Sequence, residues 1–156
     1  MTDDPQAGVT ASVIPYLVVK GAADALEFYK RAFGMEETLR MASPGGDSIV
    51  HAELRHGNGT IYLADEFPQC QSPQTLGGSP VTIHLAVKDI DGAYQQAVDA
   101  GAEAIMPPAD MFWGDRYGKL RCPFGHEWGM AQHLRDVSME EMQEGLKQMF
   151  ADPQGG

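Results

Sequence analysis

The chain is poor in basic residues: 11 Lys and Arg stand against 22 Asp and Glu, a formal net charge of −11. Binding phosphate backbones needs a basic face, so nucleic acid is excluded as a partner, and the acidity reads as solubility. Cysteine is scarce as well. Cys70 and Cys122 could form one bridge at most, which excludes a disulfide framework. Long apolar runs are missing; stretches such as Leu17-Val18-Val19 fall far short of the ~20 residues that a membrane span needs. The first residues, Met1-Thr2-Asp3-Asp4-Pro5, do not lead from a basic segment into an apolar one as an export signal does. These absences predict reduced thiols, a cytoplasmic location and no membrane partner. There is also no G-x-G-x-x-G after a strand, no P-loop, no G-x-S-x-G and no C-x-x-C, and with them go the commonest nucleotide, hydrolase and redox sites. What is present is ordinary for a globular chain: 156 residues, 43% of them hydrophobic, enough for one compact domain with a sizeable core.

The sequence repeats itself. LVVKGAADALEFYKRAFGME begins at Leu17 and LAVKDIDGAYQQAVDAGAE begins at Leu85. Each copy opens with a short apolar run and a turn, then places apolar residues at helical spacing. These are Ala25, Leu26, Tyr29 and Phe33 in the first, and Ala93, Tyr94, Ala97 and Val98 in the second. Gly34 and Gly101 close the helices, glycine being the residue that most easily takes a left-handed cap. The period then switches to two. In the first copy strands are expected over 36–42, 48–56 and 60–65, the last two a hairpin around Gly57-Asn58-Gly59. In the second, a strand begins at 103 and ends at Pro107-Pro108, and 117–121 and 127–133 form a hairpin around Pro123-Phe124-Gly125. Each copy is therefore a βαβββ unit. The expected organisation is a disordered N-terminus over 1–10, a first module over 11–65, a linker over 66–80, a second module over 81–134 and a C-terminal helix over 135–151. Ser138-Met139-Glu140-Glu141 matches a capping box for that helix. Its apolar face, Met142, Leu146, Met149 and Phe150, packs on its own domain or forms a dimer contact.

Alternation along a strand sends side chains to opposite faces, so parity assigns each residue a side. Leu17, Val19, Ile61, Leu63, Ile83 and Leu85 belong with the helices, as do Val50, Ala52 and Leu54. Ile49, His51, Glu53 and Arg55 belong to the other face, which also collects Tyr16, Tyr62, Thr82 and His84. Either this face meets water, as in a plain antiparallel sheet, or it lines a pocket. Two His, two Tyr and a Glu, without the Lys, Gln and Ser of a solvated surface, favour the pocket. Trp128 has core parity with Met130. His56, His126 and His133 lie near turns or strand ends and are expected at the surface.

The paired pattern resembles the vicinal-oxygen-chelate superfamily of glyoxalases, bleomycin resistance proteins and dioxygenases, and within it the PhnB-like group. The resemblance is carried by Pro15-Tyr16-Leu17, Phe28-Tyr29, Ala32-Phe33-Gly34, His51-Ala52-Glu53-Leu54 and Asp65-Glu66. Phe112-Trp113-Gly114-Asp115-Arg116 and Pro123-Phe124-Gly125-His126-x-Trp128 continue it. It covers about residues 12–150 and implies an α+β fold, two tandem βαβββ modules forming a curved mixed sheet around a cavity, usually as a homodimer. Cys122 departs from the motif, which normally reads Asp at that position. Metal-dependent members place His or carboxylate ligands on inward strand positions. Carried over, these positions fall at Ile14, Thr82, Tyr62 and about Gly129, none a good divalent-metal ligand. No cofactor is therefore expected.

The implied site binds a small organic molecule, with Tyr16, His51, Glu53, Tyr62, Thr82 and His84 as its lining. Trp113 and Arg116 cap it, unless the 111–116 loop is only an aromatic cluster with Arg116 paired to Asp115 or Glu53. The alternative is a metal-dependent lyase, isomerase or dioxygenase in which His51, Glu53 and His84 hold zinc, nickel or iron, and Glu53 or His51 serves as catalytic base.

Overall fold

Both repeats fold as βαβββ units in a computed structural model that describes residues 13–152; the expected disorder over 1–10 lies outside the described residues. The first unit holds β1 (Tyr16–Val19), α1 (Ala22–Phe33), β2 (Glu36–Ala42), β3 (Ile49–His56) and β4 (Gly59–Asp65). A one-turn helix, α2 (Pro73–Leu76), lies in the connecting segment. The second unit holds β5 (Thr82–Ala86), α3 (Ile90–Ala100), β6 (Glu103–Asp110), β7 (Asp115–Arg121) and β8 (Glu127–His133), and α4 (Met139–Ala151) follows. The sheets have orders β1-β4-β3-β2 and β5-β8-β7-β6. In each, the first strand pairs parallel with the last and the remaining pairs are antiparallel, so both sheets are mixed. The fold is the expected α+β pair of modules with a C-terminal helix.

Helical spacing buries Ala25, Leu26, Tyr29 and Phe33 of α1, and Ile90, Tyr94 and Ala97 of α3. Gly34 ends α1 in the left-handed conformation, with φ of 66°. The start of α1 lacks a side-chain cap of its own. Asp65, at the end of β4, supplies it from 43 residues away: Oδ1 accepts from the N–H groups of Gly21 and Ala22 at 3.0 and 2.7 Å, and Oδ2 accepts from Ile49 at 2.7 Å. One carboxylate thus ties together the start of α1, the start of β3 and the end of β4. In the second unit Asp89 caps α3 locally and the Gln132 amide accepts from the N–H of Ile90 at 3.0 Å.

The helix-facing sides of both modules share one core. Trp128 of β8, fully buried, lies with its ring 4.5 Å from Phe33 and 5.2 Å from Tyr29 of α1. Phe124 completes this junction against Phe28 and Tyr29. Cys122 belongs to it too, buried 3.5 Å from the Tyr29 hydroxyl, and burial holds that phenol well above its ordinary pKa. The other faces of the two sheets therefore point outward.

Three expectations are corrected. β6 runs through Pro107 and Pro108 to Asp110. It is an edge strand, where no neighbour demands proline's missing N–H, and its register shifts between Met106 and Ala109. In β3, Ile49 is 5% exposed and Val50 is 56% exposed, the reverse of strict alternation. The cause is a bulge: Met41 pairs with His51 and Ala42 with Ile49, which leaves Val50 as the extra residue. His126 is not at the surface but 6% exposed, and burial lowers its pKa.

The Ser138 hydroxyl accepts from the N–H of Glu141 at 3.2 Å, as a capping residue should. α4 rests on its own chain, with Gly145 so close to the Phe112 ring that a methyl group there would overlap it. Leu146, Met149 and Phe150 remain exposed.

Candidate functional site

On the open face of the first module, strand register aligns Tyr16 of β1, Tyr62 of β4, Glu53 of β3 and Leu39 of β2 in one row. His51 lies one step along β3, on the same face. The Tyr16 hydroxyl is 2.6 Å from His51 Nδ1, and His51 Nε2 is 3.1 Å from Glu53 Oε1. A carboxylate only accepts, so in the neutral imidazole Nε2 carries the hydrogen and Nδ1 accepts from the Tyr16 O–H. The Tyr62 ring lies 4.8 Å from His51 and 5.5 Å from Tyr16, edge-on to both, and fixes the two. Desolvation is the first cause that raises the Tyr16 pKa, with Cys70, Glu53 and Tyr62 adding electrostatically. Tyr16 therefore keeps its proton at neutral pH.

Beside this relay opens a hollow of about 360 Å³ lined by Tyr16, Val18, Val50, Ala64, Phe67 and Cys70. The bulge supplies Val50. Phe67 and Cys70 come from the segment after β4, where a backbone bridge between the two closes a tight turn. Hydrogen bonds from Ser72 and then Thr75 hold Glu66 in that segment down to a pKa of about 2. The hollow is apolar apart from the Tyr16 hydroxyl and the Cys70 thiol.

The second module presents a different face. His84 stacks on Tyr117 of β7, with centroids 6.1 Å apart and planes 12° apart, and Trp113 meets Tyr117 at 6.3 Å. Glu127 faces Thr82 in register, but its carboxylate is taken by Lys119 at 2.7 Å and Arg121 at 3.0 Å, which lower its pKa. Arg116 shares its strand parity with buried Gly118 and Leu120, and pairs with Asp91 on α3 and Asp110 on β6. It does not join the other named residues.

The structure thus brings together Tyr16, His51, Glu53 and Tyr62, sets Thr82 and His84 on the second sheet, and places Trp113 in the turn between β6 and β7. The superfamily's metal positions do not fit a metal. At Gly129 the volume that a carboxylate side chain would need is filled by Tyr117 Oη and His84 Nδ1, 3.1 and 3.2 Å from where a Cβ would stand. His51, Glu53 and His84 do not form a ligand set within one chain either, since His84 lies on the other sheet and no cluster of three His, Cys, Asp or Glu side chains suits a metal among the described residues.

Tyr117, Val18, Phe67 and Cys70 were not singled out by sequence reasoning. Tyr117 and Val18 are visible in principle, because Leu120 and Leu17 as core residues put them on the opposite face. Nothing local marks Phe67 or Cys70, which lie in a proline-rich stretch without periodicity.

Residues 9–130 match the profile of the Glyoxalase/Bleomycin resistance protein/Dioxygenase superfamily. An uncharacterised protein of Mycobacterium bovis is 44% identical over 140 residues, which cover 86% of this chain and 91% of that one. The crystal structure of TioX from Micromonospora sp. ML1 is 27% identical, with a TM-score of 0.64 over 80% of this chain and 99% of its own. A glyoxalase I mutant from Zea mays, 16% identical, shares the fold with a TM-score of 0.63 over 78% of this chain and 45% of its own.

Proposed function

The chain belongs to the Glyoxalase/Bleomycin resistance protein/Dioxygenase superfamily, and from that premise we propose that it binds a small organic molecule without the superfamily's usual metal centre. The observation that carries this reading is the apolar hollow of about 360 Å³ beside the hydrogen-bonded Tyr16, His51 and Glu53. Its volume suits a small ligand, and its mostly apolar walls with a few fixed polar groups are what such sites use. The residues at the superfamily's ligand positions argue against the metal: of the carboxylates that face them in register, Glu127 is neutralised by two cations and Glu53 is hydrogen-bonded to His51. The motifs shared with the PhnB-like group support placing the protein there.

We also read the protein as a homodimer. Tyr16, Met41 and Val50 leave the first module's open face half-exposed and apolar, and a second copy would cover it. The acidic composition and scarce cysteine support a cytoplasmic setting, and no helix among the described residues is long and apolar enough to cross a membrane.

The test is a thermal-shift screen of small aromatic and alicyclic molecules, followed by calorimetry of the hits on wild type and Val50→Glu. Binding should be stoichiometric in wild type, and lost when a carboxylate enters the hollow of a still-folded variant. Retention of binding in Val50→Glu would place the ligand elsewhere. Elemental analysis of protein purified without added metal tests the other half of the reading. Stoichiometric zinc, nickel or iron that disappears in His84→Ala would overturn it.

A further inference from the structure

We propose that the hollow takes a weak O–H acid on an apolar body, a phenol or a stabilised enol, and binds it as the anion by passing its proton through Tyr16 to His51. The inference deepens the small-molecule reading and rests on the same hollow. Three features of the geometry support it. Tyr16 is the one member of the relay that also lines the cavity, so its hydroxyl is the group that a ligand oxygen meets. His51 Nδ1 lies 2.6 Å behind it, and in the neutral imidazole that donates through Nε2 it is an acceptor with no hydrogen of its own. Glu53, 3.1 Å behind Nε2, offers a negative charge where an imidazolium would need one.

Ligand entry then reverses the direction of the chain. The ligand O–H bond breaks and its proton joins the Tyr16 oxygen, while the bonding pair stays on the ligand oxygen. The proton that Tyr16 held moves to His51 Nδ1. The imidazolium donates through Nδ1 to Tyr16 and through Nε2 to Glu53, and Tyr16 donates to the ligand anion. Protons and charge balance, and nothing is oxidised or reduced. The groups facing Tyr16 are compatible with this. Tyr62 meets it through a ring edge, and Cys70 lines the same wall. An already ionised carboxylate gains less, because it brings no proton to set the relay. An alcohol gains nothing, because imidazole is too weak a base to take its proton.

The second module gives an internal control. Register makes His84 the counterpart of Tyr16, Tyr117 that of His51 and Lys119 that of Glu53. There the rings stack instead of hydrogen bonding, and the third position is a cation. Among the described residues, the carboxylate on that face, Glu127, is held by Lys119 and Arg121, and none is hydrogen-bonded to His84.

Two chromophoric probes test the proposal on the full chain: 4-nitrophenol, whose absorbance reports its ionised fraction, and 4-nitroanisole, which has the same shape and no proton to give. Wild type should bind both and raise the phenolate-to-phenol ratio of bound 4-nitrophenol about tenfold over that in solution, the equivalent of one pKa unit. Tyr16→Phe and His51→Gln should still bind 4-nitroanisole while the ratio returns to the solution value. Glu53→Gln, which keeps a hydrogen-bond acceptor and removes the charge, should fall between. Bound 4-nitrophenol that stays neutral, or that ionises equally in Tyr16→Phe, overturns the relay and leaves the hollow standing. Binding of neither probe by wild type overturns the hollow reading together with the relay.

Discussion

The two modules share a skeleton and differ in what they display. Leu17 and Leu85 hold the same place in the repeat, pairing with Leu63 and Met130 respectively, and those face Ala52 and Gly118. Around this common frame the first module sets Tyr16, Tyr62, His51 and Glu53, and the second sets His84, Gly129, Tyr117 and Lys119. Tyrosine and histidine have exchanged places between β1 and β3 on one side and β5 and β7 on the other. The partner carboxylate has become a lysine, and the second tyrosine a glycine over which Tyr117 and His84 lean. The same backbone thus makes a polar relay beside an apolar hollow in one copy, and an aromatic stack beside an ion-pair cluster in the other. The scaffold fixes where side chains sit, and residue identity fixes what they do.

That contrast holds only while the modules stay one folding unit, and Trp128→Ala is the sharpest way to break it. Removing the ring that packs on Phe33 and Tyr29 should cost about 3–5 kcal/mol. Urea unfolding should still show a single transition, read equally by probes in either module; two separated transitions would mean that the copies fold independently. The anchors come next. Asp65→Ala removes three charge-assisted bonds to backbone N–H groups and should cost about 3 kcal/mol, against about 1 kcal/mol for Gln132→Ala in the second module. Equal losses would show that the two anchors are equivalent after all. Gly145→Ala sharpens the view of α4. A methyl group meets Phe112, but alanine favours the helix by about 1 kcal/mol, so global stability should change little while amide exchange in α4 accelerates. The smallest effect belongs to His133, whose pKa is raised first by Asp115 and then by Asp136. A raised folded value means stabilisation that is fully present below the unfolded histidine pKa of about 6.5 and lost as pH rises through the higher folded one. The Tm difference between wild type and His133→Ala should therefore be largest in acid and shrink with rising pH. A difference that grew instead would contradict the ion pairs.

Most of the fold was legible because the repeat is written twice in helical and strand periods, and because glycine marks the helix ends. The relay was legible for the same reason. Tyr16, His51, Glu53 and Tyr62 fall on one parity, and the backbone keeps it at all four. Legibility failed where a local rule met a longer-range cause. Strict alternation misassigned Ile49 and Val50, because a bulge depends on how β2 pairs with β3 and leaves no mark in β3 alone. Pro107-Pro108 reads as a strand end, yet an edge position tolerates it. Arg116 follows the aromatic run Phe112-Trp113 and so looks like part of the same cap. Its parity already pointed to the helix side, where Asp91 and Asp110 wait. His126 borders a turn, but the turn folds inward against α2, with Gly125 in contact with Pro73.

The extra residue in β3 has a consequence for how this protein can change. Because Val50 is surplus to the ladder, its side chain can vary without disturbing the pairing of His51, Ala52 or Glu53. The size and polarity of the hollow are therefore adjustable one position away from the Tyr16–His51–Glu53 hydrogen bonds, and independently of them. If the proposed binding holds, descendants of this chain could acquire new ligands by substitutions at that single site while inheriting the hydrogen-bonded Tyr16, His51 and Glu53 intact.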